Sequence, residues 1–167
     1  HDASLDEGAY LRVIRSKTAK LFEASARLAP ILAGSPPEIE ELCAIYGQAL
    51  GTAFQVIDDV LDYEGDTELM GKNLGDDLRE GKVTLPIICA LRQGTDTQRA
   101  LIRQSIEQGD LSHLEEILSI VRQTGALDMA RNSALAEAQR AIDAARQLFY
   151  DKLEAAEWLV DNYRELI

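Results

Sequence analysis

The stretch over residues 37–63 most constrains the fold, because it reads as one long helix that is apolar on most of its faces through residues 49–61. A helix with so little polar surface has no side to give to water, so it belongs in the middle of a helical bundle. Ser35-Pro36-Pro37-Glu38 marks its start: Ser35 as N-cap, proline at the first helical position, and Glu38 three residues after the cap. The remainder agrees. Tyr10, Ile14, Leu21, Leu28 and Ile31 recur at helical spacing across residues 8–33, and Gly34 stops that run. Further helices are predicted over residues 84–92, 97–107, 112–123, 127–150 and 151–164, with capping boxes at Thr95-x-x-Gln98 and Ser112-x-x-Glu115. The later helices are rich in Ala, Glu and Arg, the composition of a surface layer. Alternating β-branched runs are absent and aromatics make up only 5% of the chain, so no sheet is expected. The fold class is all-α.

With 167 residues there is room for one domain with a real core, and not for two. The charge of 17 basic against 29 acidic residues, net −12, argues against nucleic acid as a partner. A phosphorylated ligand would need local lysines or divalent cations to overcome that field. Cys43 and Cys89 stand in apolar surroundings without a CxxC pairing, and read as reduced core thiols. The longest apolar run, residues 83–91, is broken by Pro86 and too short to span a membrane, and no signal peptide precedes it. A cytoplasmic protein with no transmembrane segment is the expectation. The chain opens on His1, which implies either a processed start or part of a longer polypeptide.

The chemistry is carried by Phe54-Gln55-Val56-Ile57-Asp58-Asp59-Val60-Leu61-Asp62. Three carboxylates stand inside an apolar helix. At about 100° per residue, Asp58 and Asp62 project from one face, with Gln55 and Phe54 a turn earlier on the same stripe. Crowding like charges there is costly unless they are protonated or share a divalent cation, and carboxylate oxygens suit Mg²⁺. The apolar neighbours Val56, Ile57, Val60 and Leu61 separate this DDxxD from a chance match on a solvated face. Residues 64–82 follow, with four glycines and mixed charge, and read as a long functional loop holding at most a short helical turn. Lys72 and Lys82 lie in or at the end of that loop, and Lys17-Thr18 lies within the first helix. Taken singly, a lysine is ordinarily a solvated side chain. Three of them around a carboxylate triad make a clamp for a metal-bound diphosphate. Asp76-Asp77 could add metal or lysine contacts or simply form a solvated loop tip, and His113 reads as a surface residue without a partner.

These residues, in this order, resemble the C-terminal half of the trans-isoprenyl diphosphate synthases. The likeness runs from Tyr10 through Lys17-Thr18 and Phe54-Gln55…Asp58-Asp59…Asp62 to Gly71-Lys72 and Gly81-Lys82-Val83-Thr84-Leu85-Pro86, ending near Leu91. Its wording is nearest to the bacterial long-chain, octaprenyl-forming members that serve quinone side chains. The resemblance implies an isoprenoid-synthase-type bundle around a deep cavity, acting as a homodimer on an allylic diphosphate and isopentenyl diphosphate. It further implies that Asp58 and Asp62 bind Mg²⁺ with Asp59 in support, that Lys17, Lys72 and Lys82 hold the departing diphosphate, and that Thr18 and Gln55 line the path of the cation. The family's first aspartate-rich motif and its upstream isopentenyl-diphosphate-binding positions are missing, so residues 1–167 are read as the C-terminal part of one domain, inactive alone. A non-catalytic half-bundle serving as a regulatory or dimerisation subunit is the competing reading. It leaves the retention of Lys17, Gln55, three Asp and both loop lysines unexplained. An isoprenoid cyclase shares the cation chemistry, but the Gly81-Lys82-x-Thr84-Leu85-Pro86 stretch argues against it.

Overall fold

The computed structural model describes residues 6–64, 74–109 and 112–164, with side chains up to Tyr150. Every regular element among them is helical. The chain opens with α1 (Glu7–Ile14), capped by the Asp6 carboxylate accepting from the Ala9 N–H at 2.6 Å. A single π-helical turn, Arg15–Ala19, joins it to α2 (Lys20–Leu32), and Gly34 ends that arm with φ of 62°. Then comes α3 (Pro37–Glu64), followed after the undescribed segment by the one-turn α4 (Asp76–Arg79). α5 (Leu85–Gln93), α6 (Asp96–Gln108), α7 (Leu114–Gln123) and α8 (Ala126–Arg164) complete the order.

α3 is the axis of the bundle. Its broadest packing is along α8, and α2 lies against it on a second side. Gly47 and Gly51 set the second contact: a Cβ on Gly47 would fall 2.5 Å from the Phe22 carbonyl, and one on Gly51 2.8 Å from the Ala19 Cα. Only a residue without a side chain lets the backbones approach so closely. The core joins Val56, Val60 and Tyr63 of α3 to α5, α6, α7 and the start of α8. Cys89 is buried in it, with burial pushing its thiol up to about 11, and Cys43 is half-buried; both are free.

Several expectations are corrected. The first arm is not one plain helix, because the π turn interrupts it where it crosses α3 beside Gly51. Residues 127–150 and 151–164 form one helix: Asp151 carries an N-cap residue type, but no Gly or Pro breaks the run. Nor is that helix a surface layer. Ala126, Ala130, Ala134, Ala141 and Ala144 form a buried stripe, and their small side chains let α8 lie close to its neighbours. Pro36, not Ser35, offers the first accepting carbonyl of α3, and the N-cap position of α7 falls on His113 rather than Ser112. No helix among the described residues is long and apolar enough to cross a membrane.

Candidate active site

A cleft of about 480 Å³ opens between α1, the π turn, α3 and the segment around α4. Its walls carry Tyr10, Val13, Ile14, Lys17, Thr18, Gln55, Asp58, Asp59, Asp77, Lys82, Val83 and Thr84. Lys17, Thr18, Gln55, Asp58, Asp59 and Lys82 are thus brought to one cavity from segments far apart in sequence. Asp62 lies one turn beyond Asp58 on α3 and is not part of that lining. Lys72 lies outside the described residues.

The back of the cleft is a chain of hydrogen bonds. The Tyr10 hydroxyl donates to Asp59 Oδ2 at 2.6 Å, the Gln55 amide nitrogen donates to Asp59 Oδ1 at 2.8 Å, and the Thr18 hydroxyl donates to Gln55 Oε1 at 2.8 Å. Asp59 is only 3% exposed. Burial lifts its carboxyl to about 6, helped by the negative charges of Asp77 and Asp58, while the Tyr10 and Gln55 hydrogen bonds pull it partway back. The Tyr10 phenol is driven far above its usual range, first by burial and then by Asp59, so it keeps its proton and remains the donor.

The mouth is more open. Asp58 is exposed. Asp62 is half-buried, accepting the Asp77 N–H at 3.1 Å, while its main-chain carbonyl accepts the Gly75 N–H at 2.9 Å. Burial raises the Asp62 carboxyl, and the Asp77 N–H opposes that rise. Gly75, with φ of 76°, makes the turn that aims this N–H. Lys82 Nζ stands 2.6 Å from Glu80 and 2.9 Å from Asp77, which together raise its pKa. Lys17 is exposed and forms no ion pair among the described residues.

Among the described residues no three His, Cys, Asp or Glu side chains converge to hold a metal ion unaided. Asp58 and Asp62 nevertheless offer hard oxygen donors one turn apart, beside free cationic charge. That donor set fits a divalent cation such as Mg²⁺, which takes one or two carboxylates and completes its shell with water and ligand phosphates.

Two cleft residues were given no firm role by the sequence. In the sequence Tyr10 stands on an apolar stripe and opens the stretch of likeness that runs to Lys17-Thr18, but nothing there assigns its hydroxyl a partner. Asp77 is neither a bare loop tip nor idle: its carboxylate pairs with Lys82 and its main-chain N–H donates to Asp62. His113 does have an acidic neighbour, Glu116, at 3.5 Å, far from the cleft in sequence and outside its lining.

The polyprenyl synthetase family model matches residues 1–123. The chain belongs to that family. It is 50% identical over 145 residues to octaprenyl diphosphate synthase of Haemophilus influenzae, a match that covers 86% of this chain and 44% of that protein. It is 46% identical over 144 residues to the geranyl-diphosphate-specific all-trans-nonaprenyl-diphosphate synthase of Rhodobacter capsulatus, again over 86% of this chain and 44% of the relative. Among solved structures it is similar to a polyprenyl synthase of Caulobacter crescentus complexed with calcium and isoprenyl diphosphate, with a TM-score of 0.82 and 36% identity over 88% of this chain and 45% of that one. This family member therefore spans somewhat under half the length of the curated relatives it matches, and shares their all-helical isoprenoid-synthase fold.

Proposed function

We propose that this chain is the C-terminal part of a Mg²⁺-dependent prenyltransferase that condenses an allylic diphosphate with isopentenyl diphosphate. Its product is a long-chain all-trans polyprenyl diphosphate, octaprenyl by likeness to relatives, for quinone side chains. The observation that carries the reading is one cleft in a chain of net charge −12 that gathers Lys17, Lys82 and Asp58 with the dipoles of Thr18 and Gln55. The same cleft also holds Asp59 and Asp77, so an anion there would be bound through the two lysines together with a divalent cation on the carboxylates.

In the reaction the C–O bond of the allylic diphosphate breaks and its electron pair leaves with the diphosphate. The double bond of isopentenyl diphosphate attacks the resulting allylic cation, and proton loss from the adduct leaves a chain five carbons longer. Lys17 and Lys82, with Lys72, would neutralise the departing charge. Lys82 would exchange its contacts with Glu80 and Asp77 for phosphate oxygens. Asp58 and Asp62 would hold Mg²⁺, which when bound supplies positive charge to the leaving group. Thr18 and Gln55 would face the cation with oxygen.

α3 leaves Leu50, Phe54, Ile57 and Leu61 uncovered, each at least 38% exposed. That unfinished core supports reading the domain as incomplete within residues 1–167. The complete enzyme is proposed to work as a cytoplasmic homodimer, with the 167-residue chain inactive by itself.

The test is elongation of an allylic diphosphate by the full-length protein with Mg²⁺, reading product length. Asp58→Ala should cut turnover on the order of a thousandfold and abolish Mg²⁺- and diphosphate-dependent protection of residues 64–82 from proteolysis. Full activity in that variant, or steady elongation by a verified 167-residue chain, would refute the assignment it addresses.

A further inference from the structure

We propose that Tyr10 is a positioning residue, which acts through Asp59 to fix the end of the Gln55 amide that faces Thr18 and the cleft. The inference rests on the prenyltransferase reading and concerns a residue that neither donates charge nor touches phosphate in it.

The two groups that face Asp59 are both placed as donors to it. Tyr10, 3% exposed, gives its hydroxyl to one oxygen at 2.6 Å, and Gln55 gives its NH₂ to the other at 2.8 Å. With its nitrogen so committed, Gln55 has only its carbonyl oxygen left to turn toward Thr18, whose hydroxyl donates to it at 2.8 Å. The Thr18 proton is then spent as well. Both groups line the cleft beside Lys17 and Lys82, and each offers it oxygen lone pairs. A flipped amide would present NH₂ instead.

That polarity matters for a reaction that generates an allylic cation beside these groups. Fixed dipoles with their negative ends toward the developing charge lower its energy, and they do so without reorganising at the moment of ionisation. Asp59 forms no ion pair among the described residues, so two neutral donors hold it in place. Losing the Tyr10 hydroxyl would leave one oxygen of a buried carboxylate without its donor and free the group to turn. The frame that orients Gln55 would go with it. Hydrogen bonds in a buried series of this kind reinforce one another, so the effect of one should be felt at the next.

The experiment is a double-mutant cycle in the full-length protein, with an allylic diphosphate, isopentenyl diphosphate and Mg²⁺. Tyr10→Phe keeps the ring and removes one oxygen. It should lower kcat about tenfold while KM for both diphosphates stays within about twofold, because the lysines that would bind them are untouched. In a Gln55→Ala background, already slow, adding Tyr10→Phe should change kcat by less than about twofold. An unchanged kcat for Tyr10→Phe, or an equal loss in both backgrounds, overturns the inference, since a residue that merely supports the fold acts whether or not Gln55 is present. Should Tyr10→Phe fail to fold, Asp59→Asn carries the same cycle at saturating Mg²⁺, where any support Asp59 lends the metal no longer limits the rate: an asparagine can offer either oxygen or NH₂ to Gln55, so its kcat loss should also shrink in the Gln55→Ala background, and a loss that persists there overturns the inference. Failure of the unmodified full-length protein to elongate any allylic diphosphate overturns the prenyltransferase reading and this inference together. Normal elongation with additive losses overturns this inference alone.

Discussion

The two faces of α3 are made of similar residues and meet different fates. On one, Ala44, Gly47, Gly51, Val56, Val60 and Tyr63 are buried beneath α2 and the rest of the bundle. On the other, Tyr46, Leu50, Phe54, Ile57 and Leu61, spaced four, four, three and four residues apart, are 37–58% exposed. Hydrophobicity demands cover for both faces, and the described elements cover only one. The inner face is a finished core in which removing atoms leaves a cavity. The outer face has no such cover among the described elements, in a chain that spans 44% of its Haemophilus influenzae relative. A contiguous apolar stripe of this kind marks a place where something packs.

Mutation separates the two faces. Tyr63 is completely buried at the end of the inner face, and Tyr63→Ala should cost about 3–5 kcal/mol in denaturant melts of the 167-residue chain; a loss near zero would show that the inner face is not a finished core. Asp59, on the inner side, should leave a mark on the pH dependence. Its folded carboxyl sits at about 6 against an ordinary 3.8, so between those values the folded state binds a proton that the unfolded state has released. Stability should be greatest below the ordinary value and fall as pH rises through about 6, by at most about 3 kcal/mol. Asp59→Asn should flatten that slope and raise stability at neutral pH; melts at pH 4 and pH 7 decide it. Gly51→Ala should cost about 1–3 kcal/mol by forcing α2 away from α3, and should disorder the Thr18–Gln55 hydrogen bond in a structure of the variant. Leu61→Ala on the outer face should cost less than about 1 kcal/mol in the 167-residue chain but about 2–5 kcal/mol in a full-length protein. Equal losses in the two would mean that the stripe stays open.

Local features were legible in the sequence where their cause is local. Thr95 and Gln98 form both halves of the expected capping box because each bond closes within four residues. The cap at Ser35 shifted by one residue because Pro36 and Pro37 both suit a helix start. The Ala-rich final helix departs from its expected place on the surface for a different reason: composition does not say which face is buried, and its alanines form the buried stripe. In the cleft, Asp58, Lys17 and Lys82 were legible because charge in apolar or Gly-rich surroundings stands out. Tyr10 was not, because an aromatic residue on an apolar stripe looks like core until a partner for its hydroxyl is seen.

By itself, then, the sequence determined an all-helical chain, its long apolar axis and the charged groups strung along it, since periodicity and capping act over a few residues. The tertiary structure alone decided that Tyr10 meets Asp59 across 49 residues, that Thr18 meets Gln55 across 37, and that Asp77 meets both Asp62 and Lys82. Those pairings depend on how closely α2 can approach α3 at Gly47 and Gly51, and on the turn that Gly75 makes before α4. Contacts between residues remote in the chain are fixed by the packing distances between elements, and no local pattern encodes those distances.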